Sequence, residues 1–112
     1  MKVAIPVREE KLCIHFGHCD QFVLVEVNTE DKSIIGEEII DAPPHEPGLL
    51  PRWLNEKNVA IIIAGGMGSR AQQLFQDKNI EVIVGAPVET PQNLVKSLLD
   101  KTLVSGANTC DH

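Results

Sequence analysis

The chain has no tyrosine, one tryptophan and three phenylalanines in 112 residues, so its core has to be built from Ile, Val and Leu, as in an aliphatic α/β domain. Basic residues are scarce too. Ten Lys and Arg stand against sixteen Asp and Glu, a formal net charge of -6, which weighs against binding nucleic acid or acidic membrane through bulk electrostatics. No local basic patch makes up the difference. Seven acids, Glu26, Glu30, Asp31, Glu37, Glu38, Asp41 and Glu46, face a single Lys32, a pattern that reads as a solvated hairpin face. Three cysteines, an odd count, argue against a disulfide framework and leave reduced thiols for metal or redox chemistry. Long hydrophobic runs are missing: the longest, Val59 to Ala64, cannot span a bilayer, and Met1 to Arg8 is charged too soon for a signal peptide. The expectation is a cytoplasmic protein with neither membrane nor nucleic acid as partner.

What is present fits one domain over residues 1–102 and a flexible C-terminal tail over 103–112. A chain of 112 residues buries roughly two-thirds of its unfolded surface and needs no staples. Lys2 to Val7 reads as a buried strand and Gln21 to Val27 as a second, with Phe22, Leu24 and Glu26 on one face and Val23, Val25 and Val27 on the other. Asn28 to Asp31 turns the chain into a third strand, Lys32 to Ile40. Helix and strand then alternate. Apolar spacing from Pro47 to Leu54 predicts a helix stopped by Asn58, with Trp53 in the core; Val59 to Ala64 is a central strand; Ser69 to Lys78 is a helix ended by Asn79. Ile80 to Val84 is the fifth strand, and Thr90 with Pro91 starts a helix that buries Leu94, Val95, Leu98 and Leu99. The predicted architecture is α/β, a mixed five-stranded sheet in the order 3-2-1-4-5, strand 2 antiparallel, with three helices.

The most informative segment runs from Ile61 to Ala71, where an apolar strand passes through Gly65, Gly66, Met67 and Gly68 into a helix. Such a junction suits an anion, because glycines let N–H groups approach closely and the helix start leaves several unpaired. Arg70 adds a forked cation. The spacing matches neither the phosphate-loop motif nor the dinucleotide fingerprint, and a glycine turn that serves packing alone is an equal reading of this segment.

Topology strengthens the binding reading. With strand 1 beside strand 4, the loops after strands 1, 3, 4 and 5 leave one edge of the sheet, where open α/β sheets bind their ligands. Those loops carry Cys13, His15, His18 and Cys19, then His45, then the glycine turn, then Gly85 to Val88. Thiolates and imidazoles of this kind suit Fe, Cu or Zn, yet the spacing fits no zinc ribbon or ferredoxin run. Partial ligation, with room for a bridged cluster, suits the loop better than a preformed four-ligand site. Cys13 and Cys19 are equally readable as small buried thiols. His45, held between prolines, is better placed as a ligand than His18. Cys110 and His112 close the chain and either fold over a bound metal or stay unused.

Taken in order, Lys2-Val3-Ala4-Ile5-Pro6-Val7, His15-Phe16-Gly17 followed by Phe22, Pro47-Gly48-Leu49 to Trp53-Leu54, Gly65-Gly66-Met67-Gly68-Ser69-Arg70-Ala71 and Ile80-Glu81-Val82 make the chain resemble the dinitrogenase iron-molybdenum cofactor biosynthesis family. These are small nitrogenase accessory domains, with molybdenum-copper cluster proteins among them. The resemblance implies a three-layer, ribonuclease H-like fold. It also implies binding or carriage of an anionic metal-sulfur cluster, iron-sulfur or iron-molybdenum in type, or of its precursor, without turnover. A cluster-delivery or acceptor protein follows as a possible partner. His15, Phe16, Gly17, His45, Gly65, Gly66, Met67, Gly68 and Arg70 become the expected cluster-binding positions, and Cys13, His15, Cys19, His45, Cys110 and His112 the expected metal ligands. Such clusters are polyanions with soft sulfur, which call for N–H groups, an arginine and exchangeable His or thiolate ligands.

Two other readings stay open at this level. A phosphate or nucleotide binder would use the glycine turn and leave the His and Cys loops idle, and a thiol-based regulatory module would use the cysteines without metal. Nuclease chemistry on such a fold requires carboxylates on the central strands to hold two Mg²⁺ ions. Val3 to Val7 and Ala60 to Ala64 contain none. With no nucleophile beside a base, no catalytic turnover is expected.

Overall fold

The computed structural model of the chain describes residues 1–13, 19–43, 48–101 and 103. Within them the elements are β1 (Lys2–Arg8), β2 (Lys11–Leu12), β3 (Gln21–Asn28), β4 (Ser33–Asp41), α1 (Leu49–Glu56), β5 (Val59–Ile63), α2 (Ser69–Asp77), β6 (Glu81–Ile83) and α3 (Pro91–Leu99). The sheet runs β4-β3-β1-β5-β6, with β2 attached to β1. β3 is antiparallel to β1 and β4, while β1 with β5 and β5 with β6 are parallel. Apart from β2 this is the expected order, with its reversed second strand and three helices.

The sixth strand has a local cause. Glu9 and Glu10 both adopt positive φ, 54° and 69°, as a two-residue type I′ turn requires. The chain therefore folds straight back, pairing Leu12 with Val7 and Lys11 with Arg8. Nothing in a Glu-Glu pair advertises that turn, because Asn or Gly usually fills it.

Strand alternation divides the core into two layers. Val3, Ile5, Val7, Val23, Val25, Ile61 and Ile63 pack with Leu94 and Val95 of α3 on one face. Ala4, Phe22, Leu24, Ile62 and Met67 pack with Leu54 of α1 and Phe75 of α2 on the other. Phe22 meets Trp53 edge to face, with ring centroids 5.6 Å apart, and Lys57 Nζ lies 5.2 Å from the Trp53 ring centroid. Trp53 is thus half-buried, stapling α1 to the sheet.

Helix boundaries follow the stop and start residues. Asn58 and Asn79 adopt left-handed φ of 64° and 62° just after α1 and α2, where only Gly and Asn are readily accommodated. Thr90 caps α3 by accepting a hydrogen bond from the Asn93 N–H at 3.3 Å, and Pro91 occupies the first turn. Beyond α3, the Leu103 N–H donates to the Ser97 carbonyl at 3.1 Å, and Leu103 packs against the α3-side core. No helix among the described residues is long and apolar enough to cross a membrane.

Candidate functional site

β1 outruns its parallel neighbour. The β1–β5 ladder pairs Lys2 to Ala4 with Val59 to Ile62, so Pro6, which has no N–H to donate, lies beyond it and costs no ladder bond. The Pro6 carbonyl instead accepts from the Cys13 N–H at 2.9 Å, which fixes Cys13, just after β2, beside the end of β1. Register puts Val7 beside Gln21 and Gln21 beside Asp41. The carboxyl ends of β1, β4, β5 and β6 therefore share one edge of the sheet.

Main-chain hydrogen bonds stitch the connections at this edge to one another. The Leu12 N–H donates to Glu89 O at 3.0 Å and the Ala42 N–H to Asp20 O at 3.0 Å; Gly85 N–H reaches Gly65 O at 2.8 Å and Ala86 N–H reaches Ala64 O at 3.2 Å. Arg8 and Asp20 face each other there at 3.9 Å, both exposed. This solvated pair adds little energy and leaves Arg8 with an acid beside it.

The glycine turn splits into two parts. Gly65, Gly66 and Met67 are buried, and the Met67 side chain belongs to the core beside Phe75 and Leu54. The Met67 carbonyl is already occupied, accepting from Gln72 Nε2 at 2.9 Å. Gly68, Ser69 and Arg70, by contrast, are exposed. Gly68 is the N-cap of α2, at φ -63° and ψ 152°, with no side-chain cap. Neither conformation nor space demands glycine there: any L-residue adopts these angles, and an added Cβ would meet nothing within 4 Å. The consequence is a first helical turn whose N–H groups, at Ser69, Arg70 and Ala71, have no capping oxygen from within the turn. Among the described residues no carboxylate pairs with Arg70.

Of the predicted ligands, Cys13 is buried and Cys19 half-buried, and the two bracket residues 14–18. His15, Phe16, Gly17, His18, His45, Cys110 and His112 lie outside the described residues. Pro43 and Gly48 bracket the segment of His45 as Cys13 and Cys19 bracket that of His15; Cys13 is bonded at the stitched edge, and Cys19 and Pro43 each adjoin a residue that is. Among the described residues no three His, Cys, Asp or Glu side chains come together as a metal site. The Arg8–Asp20 pair had no signature in the sequence, since it depends on β1 and the segment before β3 being brought together by folding, whereas the Gln72–Met67 bond is local, five residues apart across the start of α2.

The fold and this edge define a three-layer α/β domain with an open, cationic helix terminus at its rim. The chain belongs to the dinitrogenase iron-molybdenum cofactor family, whose model matches residues 1–101. It is 32% identical over 87 residues to the protein MJ0580 of Methanocaldococcus jannaschii, covering 73% of this chain and 72% of that one. The crystal structure of PH0822 superimposes with a TM-score of 0.85 at 26% identity, over 94% of each chain. The apo form of the orange protein from Desulfovibrio gigas shares the fold, with a TM-score of 0.72 at 20% identity over 96% of this chain and 93% of that one.

Proposed function

We propose that this protein binds and carries an anionic metal-sulfur cluster, of the iron-sulfur or iron-molybdenum type, or its precursor, as cargo and without catalytic turnover. The observation that carries the reading is the α2 terminus: uncapped N–H groups behind Gly68, beside an arginine without an acidic partner among the described residues, at the edge where Cys13 is tied to the end of β1. Membership of a family described by the iron-molybdenum cofactor supplies the nature of the anion.

In this reading the N–H groups of α2 and Arg70 hold the charge of the cargo. A helix start favours anions through its unpaired N–H groups and dipole, and guanidinium adds two parallel donors. Gly65, Gly66 and Met67 contribute as the rigid, buried floor behind Gly68, not through their side chains. His15 and His45 supply exchangeable nitrogen ligands and Cys13 and Cys19 soft thiolate, with Phe16 and Gly17 in the same segment and Cys110 and His112 closing from the tail. The partner is a protein that delivers the cluster or accepts it.

The test is anaerobic reconstitution with iron and sulfide, and separately with tetrathiomolybdate, followed by absorption spectroscopy and metal analysis. Charge-transfer bands with stoichiometric metal support carriage. No metal uptake, together with a melting temperature raised by nucleotide, would replace it with the phosphate-binding reading.

A further inference from the structure

β4 ends the strand order, and among the described residues nothing pairs with the outer edge of this nine-residue strand. An edge of that length presents unpaired N–H and C=O groups to any other extended chain. Charges usually blunt such edges, and β4 carries Glu37, Glu38 and Asp41. The apolar side chains beside them do not blunt it. Ile34, Ile35 and Ile39 are 37%, 65% and 63% exposed, three of the five large apolar side chains that face solvent among the described residues. Ile39 pairs with Val23 and Ile34 with Val27, so both stand on the α3 face, with Glu37 between them accepting a hydrogen bond from Gln92 Nε2 at 2.9 Å.

We propose that β4 is a docking edge for an extended, basic segment of a partner protein. The segment adds a strand to the sheet, sets Lys or Arg opposite Glu37, Glu38 and Asp41, and lays apolar side chains beside Ile35 and Ile39. In strand addition, main-chain hydrogen bonds supply affinity and the alternating side chains supply selectivity. Charge decides the occupant. From Asn28 to Asp41 the chain carries five acids, Glu30, Asp31, Glu37, Glu38 and Asp41, against Lys32 alone. A second copy pairing through its own β4 would bring two such acidic sets together, and like charges across adjacent strands oppose pairing. A basic strand neutralises them while covering the isoleucines. The inference is independent of the cargo at the glycine rim, because β4 contributes no proposed ligand.

The experiment uses the intact chain and a fluorescein-labelled Lys–Val nonapeptide, its Lys residues spaced to oppose Glu37, Glu38 and Asp41 and its Val residues to oppose Ile35 and Ile39, with a Glu–Val nonapeptide of the same spacing as control. Fluorescence anisotropy reads binding and amide hydrogen exchange reads its location. The Lys–Val peptide is expected to bind and to slow exchange in β4, the Glu–Val peptide is not, and Glu37→Lys combined with Glu38→Lys is expected to weaken binding by about tenfold. Ile35→Thr, at an exposed position where folding is not at stake, should weaken it as well. The idea is overturned by equal binding of both peptides, by no binding, by protection confined to other elements, or by a sedimenting dimer whose β4 amides are protected without peptide.

Discussion

The Gly85 N–H donates to the Gly65 carbonyl at 2.8 Å, so the turn after β6 hangs directly on the turn after β5. Gly85 makes this contact at a φ of 74°, a region that costs a residue with Cβ about 1–2 kcal/mol. Gly85→Ala should therefore lower stability by about 1 kcal/mol in urea denaturation, and should loosen the Gly65 amide in hydrogen exchange. An unchanged midpoint would mean that the Gly65–Gly85 link is not under this conformational constraint.

The α2 cap makes a prediction of opposite signs for stability and binding. Gly68→Asp places a carboxylate where the helix N–H groups want one, in open space, and is expected to stabilise the fold by about 0.5 kcal/mol. The same carboxylate fills the anion position and repels a polyanion. Tetrathiomolybdate titration should show the loss while thermal melting shows the gain; a variant that melts higher and still takes up metal normally would remove α2 from the proposed site.

Thr90→Ala deletes the only side-chain oxygen seen at a helix start among the described helices. The expected cost is about 1 kcal/mol, by analogy with other Thr caps. Because α3 covers the opposite core layer from the glycine turn, metal uptake per mole of folded protein should not change. A parallel loss of both in denaturation and metal analysis would show that the rim depends on α3 more closely than its packing suggests.

Trp53→Ala should cost roughly 2 kcal/mol, since it removes a half-buried ring and its edge-to-face contact with Phe22. His15→Ala and Cys13→Ala should instead reduce retained metal after gel filtration, with a smaller shift in melting temperature. Equal metal loss from all three variants would mean that unfolding, not ligation, was being measured.

Much of this architecture was legible because its signals are local. Asn58, Asn79 and Thr90 mark their helix ends through backbone angles and hydrogen bonds that span a few residues, and alternation in Gln21 to Asn28 predicts which side chains enter which core layer. β2 was not legible, because Glu9 and Glu10 accept left-handed angles that their side chains do not favour. The glycine run was legible only as a whole. Which glycines face the core and which face solvent depends on where Phe75 and Leu54 arrive from α2 and α1, and of the expected cluster-binding positions in this turn Gly68 and Arg70 proved open while Gly65, Gly66 and Met67 are buried. The acidic hairpin was read as a solvated face, and β4 is solvated; its row of isoleucines on an open edge emerges only from the strand order.

β1, which precedes the other strands of this domain, lies in the middle of the sheet, between β3 and β5. A nascent chain can close the β3–β4 hairpin early, because those contacts are local, but β1 keeps one bare flank until Val59 to Ile63 emerge, and non-local parallel pairing is slow. The rim needs still later segments, with Glu89 tethering Leu12 and Gly85 tethering Gly65. The meeting of the loops is thereby a late event: a ribosome-bound fragment ending before β6 lacks both Gly85 and Glu89, and so holds neither Gly65 nor Leu12 in place.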